Sequence, residues 1–194
     1  VFALLLLASG EGRGQVNITP IRTDVSGFSS WTDANVAGTT YLQLLTATSS
    51  TISPAMNFDS YTSEALNFKA RTYGGTNTTE NEVFVAISTN NGTDWTDIGS
   101  RTPTSTTLTA MTSFDLSSYS GTQVKIKFYV KGTSNSIGIG IDDITISGTS
   151  SNPSITTSTI TGFGNVTVNT TSTEKSYTVS GTNLTADITI TPPS

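Results

Sequence analysis

The chain has 194 residues, a net charge of −5 and only 12% charged residues, with no cysteine and no histidine. Those absences exclude disulfides, thiolate nucleophiles, histidine-ligated zinc and any histidine-based acid–base pair or triad. An acidic, sparsely charged chain also lacks the overall basic footprint of a nucleic-acid binder.

Residues 1–8 form an apolar run too short to span a bilayer, followed by the small residues of 9–14. With neither an initiator Met nor a basic segment ahead of it, this stretch reads as a signal-peptide remnant (1–14). Cleavage there removes one charge of each sign, Glu11 and Arg13, so the expected exported protein keeps its charge of −5.

From Val16 onward apolar residues recur with period two and no segment keeps a helical period for three turns. Residues 41–45 predict a strand. Residues 52–58 contain Pro54, which places them at an edge or a strand start. Over 65–73, Leu66, Phe68 and Ala70 point inward while Asn67, Lys69 and Arg71 point outward. Over 82–88, Val83, Val85 and Ile87 point inward and Phe84 outward. A turn at Asn90-Asn91-Gly92 returns the chain through Trp95 and Ile98. Residues 114–121 predict a connecting loop with one helical turn. Over 123–131, Val124, Ile126, Phe128 and Val130 are inward and Lys125, Lys127, Tyr129 and Lys131 outward.

The last long strand contains a fault. Ile137, Ile139 and Ile141 share one parity, and Ile144 and Ile146 the other, with Asp142 and Asp143 between. One face can bury both sets only if an extra residue intervenes, which predicts a β-bulge at the aspartates and one carboxylate tucked inward. Many short antiparallel strands of this kind predict an all-β fold, an antiparallel two-sheet jelly-roll sandwich over 15–148. Residues 149–154 read as a polar linker. Beyond it, three strand-like pieces at 155–160, 175–180 and 187–191 predict a partial Ig-like β-sandwich over 155–194.

Four stretches fall in a familiar order: 83–95 (Val-Phe-Val-Ala-Ile-Ser-Thr-Asn-Asn-Gly-Thr-Asp-Trp), 114–121 (Phe-Asp-Leu-Ser-Ser-Tyr-Ser-Gly), 124–128 (Val-Lys-Ile-Lys-Phe) and 140–144 (Gly-Ile-Asp-Asp-Ile). Together they resemble the MAM-like jelly-roll modules of secreted Bacteroidota proteins, the choice-of-anchor J and cleaved-adhesin type, over about residues 40–147. The resemblance implies export, a type IX secretion route and a non-catalytic adhesive or accessory role at the cell surface. It also implies a cation site at Asp142 and Asp143, although the opening segment has no match to the family's early acidic residue. The tail is similar to Ig-like repeats. Residues 88–95 resemble an Asp-box hairpin in a single copy, which is a stable turn and no sign of a sialidase.

For Asp142 and Asp143 two readings stand side by side. One is a calcium site, because a bulge exposes carbonyls beside a carboxylate; the other is a carboxylate accepting backbone N–H bonds. A glycosidase pair is disfavoured, since adjacent strand residues face opposite ways. Lys69, Arg71, Phe84, Lys125, Lys127 and Tyr129 would form a ligand face for an extracellular glycan or protein if their strands were neighbours; otherwise such lysines guard sheet edges. Trp31 and Trp95 read as core and hairpin packing. Three functions follow: a non-catalytic binding or adhesion module, the ancillary domain of a secreted hydrolase, and a structural subunit that self-assembles by strand exchange.

Overall fold

Residues that are apolar at every second position leave one oily face per strand, and two such faces are buried by stacking sheet on sheet. The computed structural model describes residues 15–20, 22, 30–73, 82–131, 138–162 and 164–191, and shows that arrangement. The chain runs through β1 (Val16–Asn17), β2 (Thr32–Ala34), β3 (Val36–Ala37), β4 (Leu42–Leu44) and β5 (Ser50–Ile52). A 3-10 turn at Phe58–Ser60 leads into the long β6 (Tyr61–Thr72). Then follow β7 (Val83–Ser88), β8 (Thr96–Arg101), β9 (Thr109–Ala110), β10 (Phe114–Asp115), β11 (Lys125–Tyr129) and the long β12 (Ile139–Ser150). Among the described residues, no helix is long and apolar enough to cross a membrane. The segment read as a signal peptide (1–14) and Ile137 lie outside the described residues.

One sheet has the order β10-β6-β12-β4-β3, with β1 also paired to β12 and β9 to β6; the other has the order β2-β5-β11-β7-β8. Among the eight principal strands, the first pairs with the last (β4–β12) and the second with the seventh (β5–β11). The third pairs with the sixth (β6–β10) and the fourth with the fifth (β7–β8). A long hairpin wrapped in this way is a jelly roll. Phe68 on β6 and Phe128 on β11 meet edge to face across the interior, 5.1 Å between centroids.

Several local expectations need correction. Residues 114–121 contain no helical turn: Phe114–Asp115 pairs with β6, and the Asp115 carboxylate then accepts the Ser117 N–H to form a turn. The strand β12 continues through Ser150, two residues into the stretch read as linker, because Thr149 and Ser150 pair with Thr62 and Tyr61. It ends one compact unit, and residues 151–191 belong to a second. That second unit holds β13 (Ser154–Thr157) paired with β14 (Val179–Thr182), and residues 187–191 form no strand. Ile155, Ile160, Val166 and Val168 remain exposed on it.

The fault in β12 is a bulge. Asp142 faces Lys69 but Thr145 faces Asn67, so β12 spends one residue more than β6 across the step. Asp143 sits in the left-handed region at φ 49°, and Ile139, Ile141, Ile144 and Ile146 are all fully buried as a result. A second shift of opposite sense follows, where β6 carries the extra residue and Ser63 stands at φ 55°. The two cancel, and the ladder ends at Ser150–Tyr61 in the register it began with at Ile139–Thr72. The bulge also marks a change of partner. Before it, β12 pairs with β4; beyond it, Ile144 and Arg22 exchange backbone bonds and the N-terminal segment continues along β12 through Ile18 and β1.

Arg22 was not singled out by the sequence, yet it is fully buried. Its guanidinium crosses to Asp33 at 2.5 Å and to the Thr51 hydroxyl at 3.0 Å, and lies 5.0 Å from the Trp31 ring centroid. This pair ties the N-terminal segment of one sheet to β2 and β5 of the other. Removing Asp33 would leave the buried guanidinium without its counter-charge, which typically costs several kcal/mol, whereas Asp33 itself is open to solvent.

The left-handed backbone at Asp143 yields a stability prediction. Asp143→Asn and Asp143→Gly are expected to fold with nearly unchanged stability, because both residues tolerate that conformation. Asp143→Val is expected to lose about 2 kcal/mol in chemical denaturation, since a β-branched residue is strained there. Equal stability of all three variants would remove the bulge geometry.

Candidate ligand-binding face

The strand β11 lies third of five in its sheet, flanked by β5 and β7, and β6 is likewise interior to the other sheet. Neither carries an edge to guard, so edge protection does not account for their lysines. Alternation sends Lys125, Lys127 and Tyr129 to the outer face, because Ile126 and Phe128 fill the core. The antiparallel register sets Tyr129 beside Phe84 and Lys127 beside Ala86. Across the hairpin, Ala86 faces Asp97 and Phe84 faces Ser100. On the other flank, Ser50 and Ile52 of β5 stand beside Tyr129 and Lys127.

The Asp97 position depends on a shift in the β7–β8 ladder, where Ile98 is the extra residue and Gly99 takes φ 135°. Ile98 packs toward the core and Asp97 stays on the outer face. The small Ala86, buried beneath, lets facing side chains converge. The Tyr129 hydroxyl donates to one Asp97 oxygen at 2.5 Å, and the Lys131 ammonium donates to the other at 3.1 Å.

Rings and ammonium groups interleave along the face. Lys127 Nζ lies 5.8 Å from the Trp95 ring and 5.1 Å from Tyr129; Lys131 Nζ lies 4.0 Å from Phe84 and 5.4 Å from Tyr129. The Phe84 and Tyr129 centroids are 5.5 Å apart. Such contacts are weak one by one at exposed sites, and they favour the lysines lying over the rings. Trp95 is carried here by its hairpin, in which Gly92 donates to the Ser88 hydroxyl and Asp94 N–H to the Asn90 carboxamide. A methyl group at Gly92 would touch the indole, so Trp95 does pack on the turn while also bordering Lys127. Trp31, by contrast, is core.

The six expected ligand residues therefore divide. Phe84, Lys125, Lys127 and Tyr129 come together, joined by Trp95, Asp97 and Lys131, which sequence reasoning did not include. Lys69 and Arg71 lie on the outer face of the other sheet, because β6 and β11 belong to opposite layers. There Arg71 lies over the Tyr41 and Tyr73 rings, at 5.5 and 4.9 Å, and donates to the Tyr41 hydroxyl at 3.2 Å. Gly140 makes that packing possible: a Cβ there would come within 2.7 Å of Arg71 and 2.8 Å of Tyr41. Burial and its bond to Tyr41 push the Tyr73 hydroxyl well above its ordinary pKa.

Neither aspartate of the bulge is tucked into the core. Asp142 is half-buried and accepts the Asp143 N–H at 2.8 Å, while Asp143 pairs with Lys69 at 2.8 Å with both side chains largely exposed. The hydrogen bond and charge of Asp143 raise the Lys69 pKa. Calcium takes about six to eight oxygen ligands. The described residues offer two adjacent carboxylates, one already bonded to an ammonium, and no cluster of three acidic side chains. That donor set fits an ion-paired bulge better than a calcium cage.

No protein-family model and no curated protein matches the chain. Solved structures do. A family 29 carbohydrate-binding module from Piromyces equi is 16% identical, covering 70% of this chain and 90% of its own, with a TM-score of 0.48. A cleaved adhesin domain of Lys-gingipain from Porphyromonas gingivalis is 12% identical, covering 69% and 99%, with a TM-score of 0.46. A family 36 carbohydrate-binding module solved with calcium and xylotriose is 13% identical, covering 69% and 99%, at 0.43. What those proteins bind is a property of theirs; the jelly-roll assignment of this chain rests on its strand order.

The hydrogen bond from Tyr129, and then that from Lys131, hold the Asp97 carboxyl below the ordinary carboxylate range. Its stabilising contribution is present above the unfolded value of about 3.9 and is lost as pH falls through the lower folded value. Tyr129→Phe is expected to move the Asp97 titration up toward that ordinary value, read by carboxyl NMR. An unmoved titration would mean that the bond is not formed in solution.

Proposed function

We propose that the chain is a non-catalytic extracellular binding module that grips a glycan on the outer face of the β5–β11–β7–β8 region. One observation carries this: Phe84, Trp95 and Tyr129, all half-buried, share one rigid sheet face with lysine ammonium groups and Asp97. Aromatic rings supply flat apolar area for the C–H faces of sugars, and the surrounding donors and acceptors match hydroxyl groups. Placing them on strands fixes their spacing before the ligand arrives, which lowers the entropy lost on binding. The jelly roll supports the reading by leaving this face open as a platform.

A panel of polysaccharides presented to the full chain tests the reading. Binding is expected to fall roughly tenfold, about 1.4 kcal/mol, in Phe84→Ala and in Tyr129→Ala, with melting temperature retained. Binding that ignores both substitutions would place the site elsewhere. Running the panel with and without millimolar calcium tests the cation reading of Asp142 and Asp143. No calcium dependence is expected, and a dependence abolished by Asp142→Ala or Asp143→Ala would establish the metal.

A second reading, self-assembly through strand exchange, draws on the C-terminal unit. Its two-stranded sheet leaves Ile155 exposed opposite Gly181, at a cleft also lined by Val179, Leu184 and Ile188, and Val168 is exposed in a turn of the same unit. Two strands bury too little apolar area to be stable alone, and a third strand supplied by a neighbour would complete them. Light scattering across a concentration series is expected to show oligomers that Ile155→Asp or Val168→Asp dissolves. A monomer at every concentration would discard this assembly.

A further inference from the structure

The sequence as a whole is acidic, yet three of its nine basic residues, Lys125, Lys127 and Lys131, stand within seven positions of each other. All three belong to the face described above. Asp97 answers only part of that charge: it binds Lys131, while Lys125 and Lys127 have no carboxylate within ion-pair distance among the described residues. The ring faces are also not bare, because the ammonium groups of Lys127 and Lys131 lie over Trp95, Tyr129 and Phe84. A neutral sugar stacking on those rings must push the ammonium groups aside. A ligand bearing carboxylates keeps them in place and pairs with them.

The patch already displays the recognition on itself. The Tyr129 hydroxyl and the Lys131 ammonium close on the two oxygens of one carboxylate, that of Asp97. Lys125 and Lys127 repeat a cation every second residue along β11, about 7 Å apart, on a strand paired along its length with β7 and from Lys127 onward with β5. We propose that the ligand is a polyuronate, a glycan whose sugars carry carboxylates at regular intervals, laid along β11 with its carboxylates paired to Lys125 and to Lys127, the latter where it lies over the Trp95 and Tyr129 rings. The proposal rests on the glycan-binding reading above and narrows it to one chemical class.

Affinity electrophoresis and titration calorimetry of the full chain against polygalacturonate, alginate and hyaluronan test it. Fully methyl-esterified polygalacturonate, neutral xylan, dextran sulfate and a single-stranded oligonucleotide serve as comparisons. The expected result is binding to a polyuronate that weakens roughly tenfold between about 50 and 200 mM salt, the behaviour of about two released counterions. Methyl esterification is expected to weaken it by a similar factor. Lys125→Gln combined with Lys127→Gln is expected to lose at least tenfold at unchanged melting temperature, with Lys127→Glu losing more. Lys69→Gln, on the opposite sheet, is expected to bind as wild type.

A neutral glycan bound as tightly as any polyuronate would overturn the proposal and leave the glycan-binding reading intact. Equal or tighter binding to dextran sulfate or to the oligonucleotide would also overturn it, reducing the face to a general anion exchanger. Failure to bind any polysaccharide would overturn both readings together.

Discussion

The ladder between β6 and β12 is the constraint on which the rest of the sandwich depends. These are the two longest strands, they lie side by side in the middle of one sheet, and each carries one extra residue against the other. Without the extra residue at Asp143, either Ile139 and Ile141 or Ile144 and Ile146 would face solvent. With it, all four are buried, and β12 exchanges one edge partner for another at the same point. The matching extra residue at Ser63 restores the register, so the distortion stays local. The aspartate pair is thus explained by backbone geometry first: Asp is among the few non-glycine residues that take a left-handed conformation readily.

The partner change brings Arg22 to the bulge, and from there its buried guanidinium reaches Asp33 and Thr51 in the other sheet. This is a polar tie between layers otherwise joined by apolar contacts such as Phe68 on Phe128. Arg101 performs a related task at the rim, where its guanidinium lies 3.7 Å from the Phe114 ring centroid and donates to the carbonyls of Thr112 and Ser113. Burial lowers its pKa, a direction that leaves an arginine charged at any physiological pH. Ties of this kind hold the two sheets in one relative position, and so hold the outer faces rigid.

Rigidity matters because the proposed site is a surface and not a pocket. Its rings and ammonium groups are spaced by strand geometry, two residues along a strand and one strand across, with bonds to Asp97 fixing Tyr129 and Lys131. The same face shows how far residue patterns reach. The alternation in 123–131 correctly assigned Lys125, Lys127 and Tyr129 outward, and that in 82–88 did so for Phe84. Adding Lys69 and Arg71 to them required knowing that β6 and β11 were neighbours, and they are in different layers. The place of Asp97 on this face and the contacts of Lys131 were hidden for a similar reason. One depends on a register shift at Ile98, the other on the reach of a flexible side chain beyond a strand end.

By itself, the sequence determined the long strands β6, β7, β11 and β12, their buried faces, the hairpin at Asn90-Asn91-Gly92 and the existence of the bulge. Each is a local property, because side-chain direction alternates along a single strand and a break in alternation needs an extra residue wherever the strand is paired. Tertiary structure alone decided which strands became neighbours, that Arg22 would be buried, and that the aspartates would stay at the surface, with Lys69 across from them. Those outcomes depend on contacts between residues far apart in sequence, such as Lys69 and Asp143. The feature first read as a possible metal site is for that reason best understood as the hinge of the architecture. The proposed ligand face lies on the opposite sheet, where β11 runs between β5 and β7.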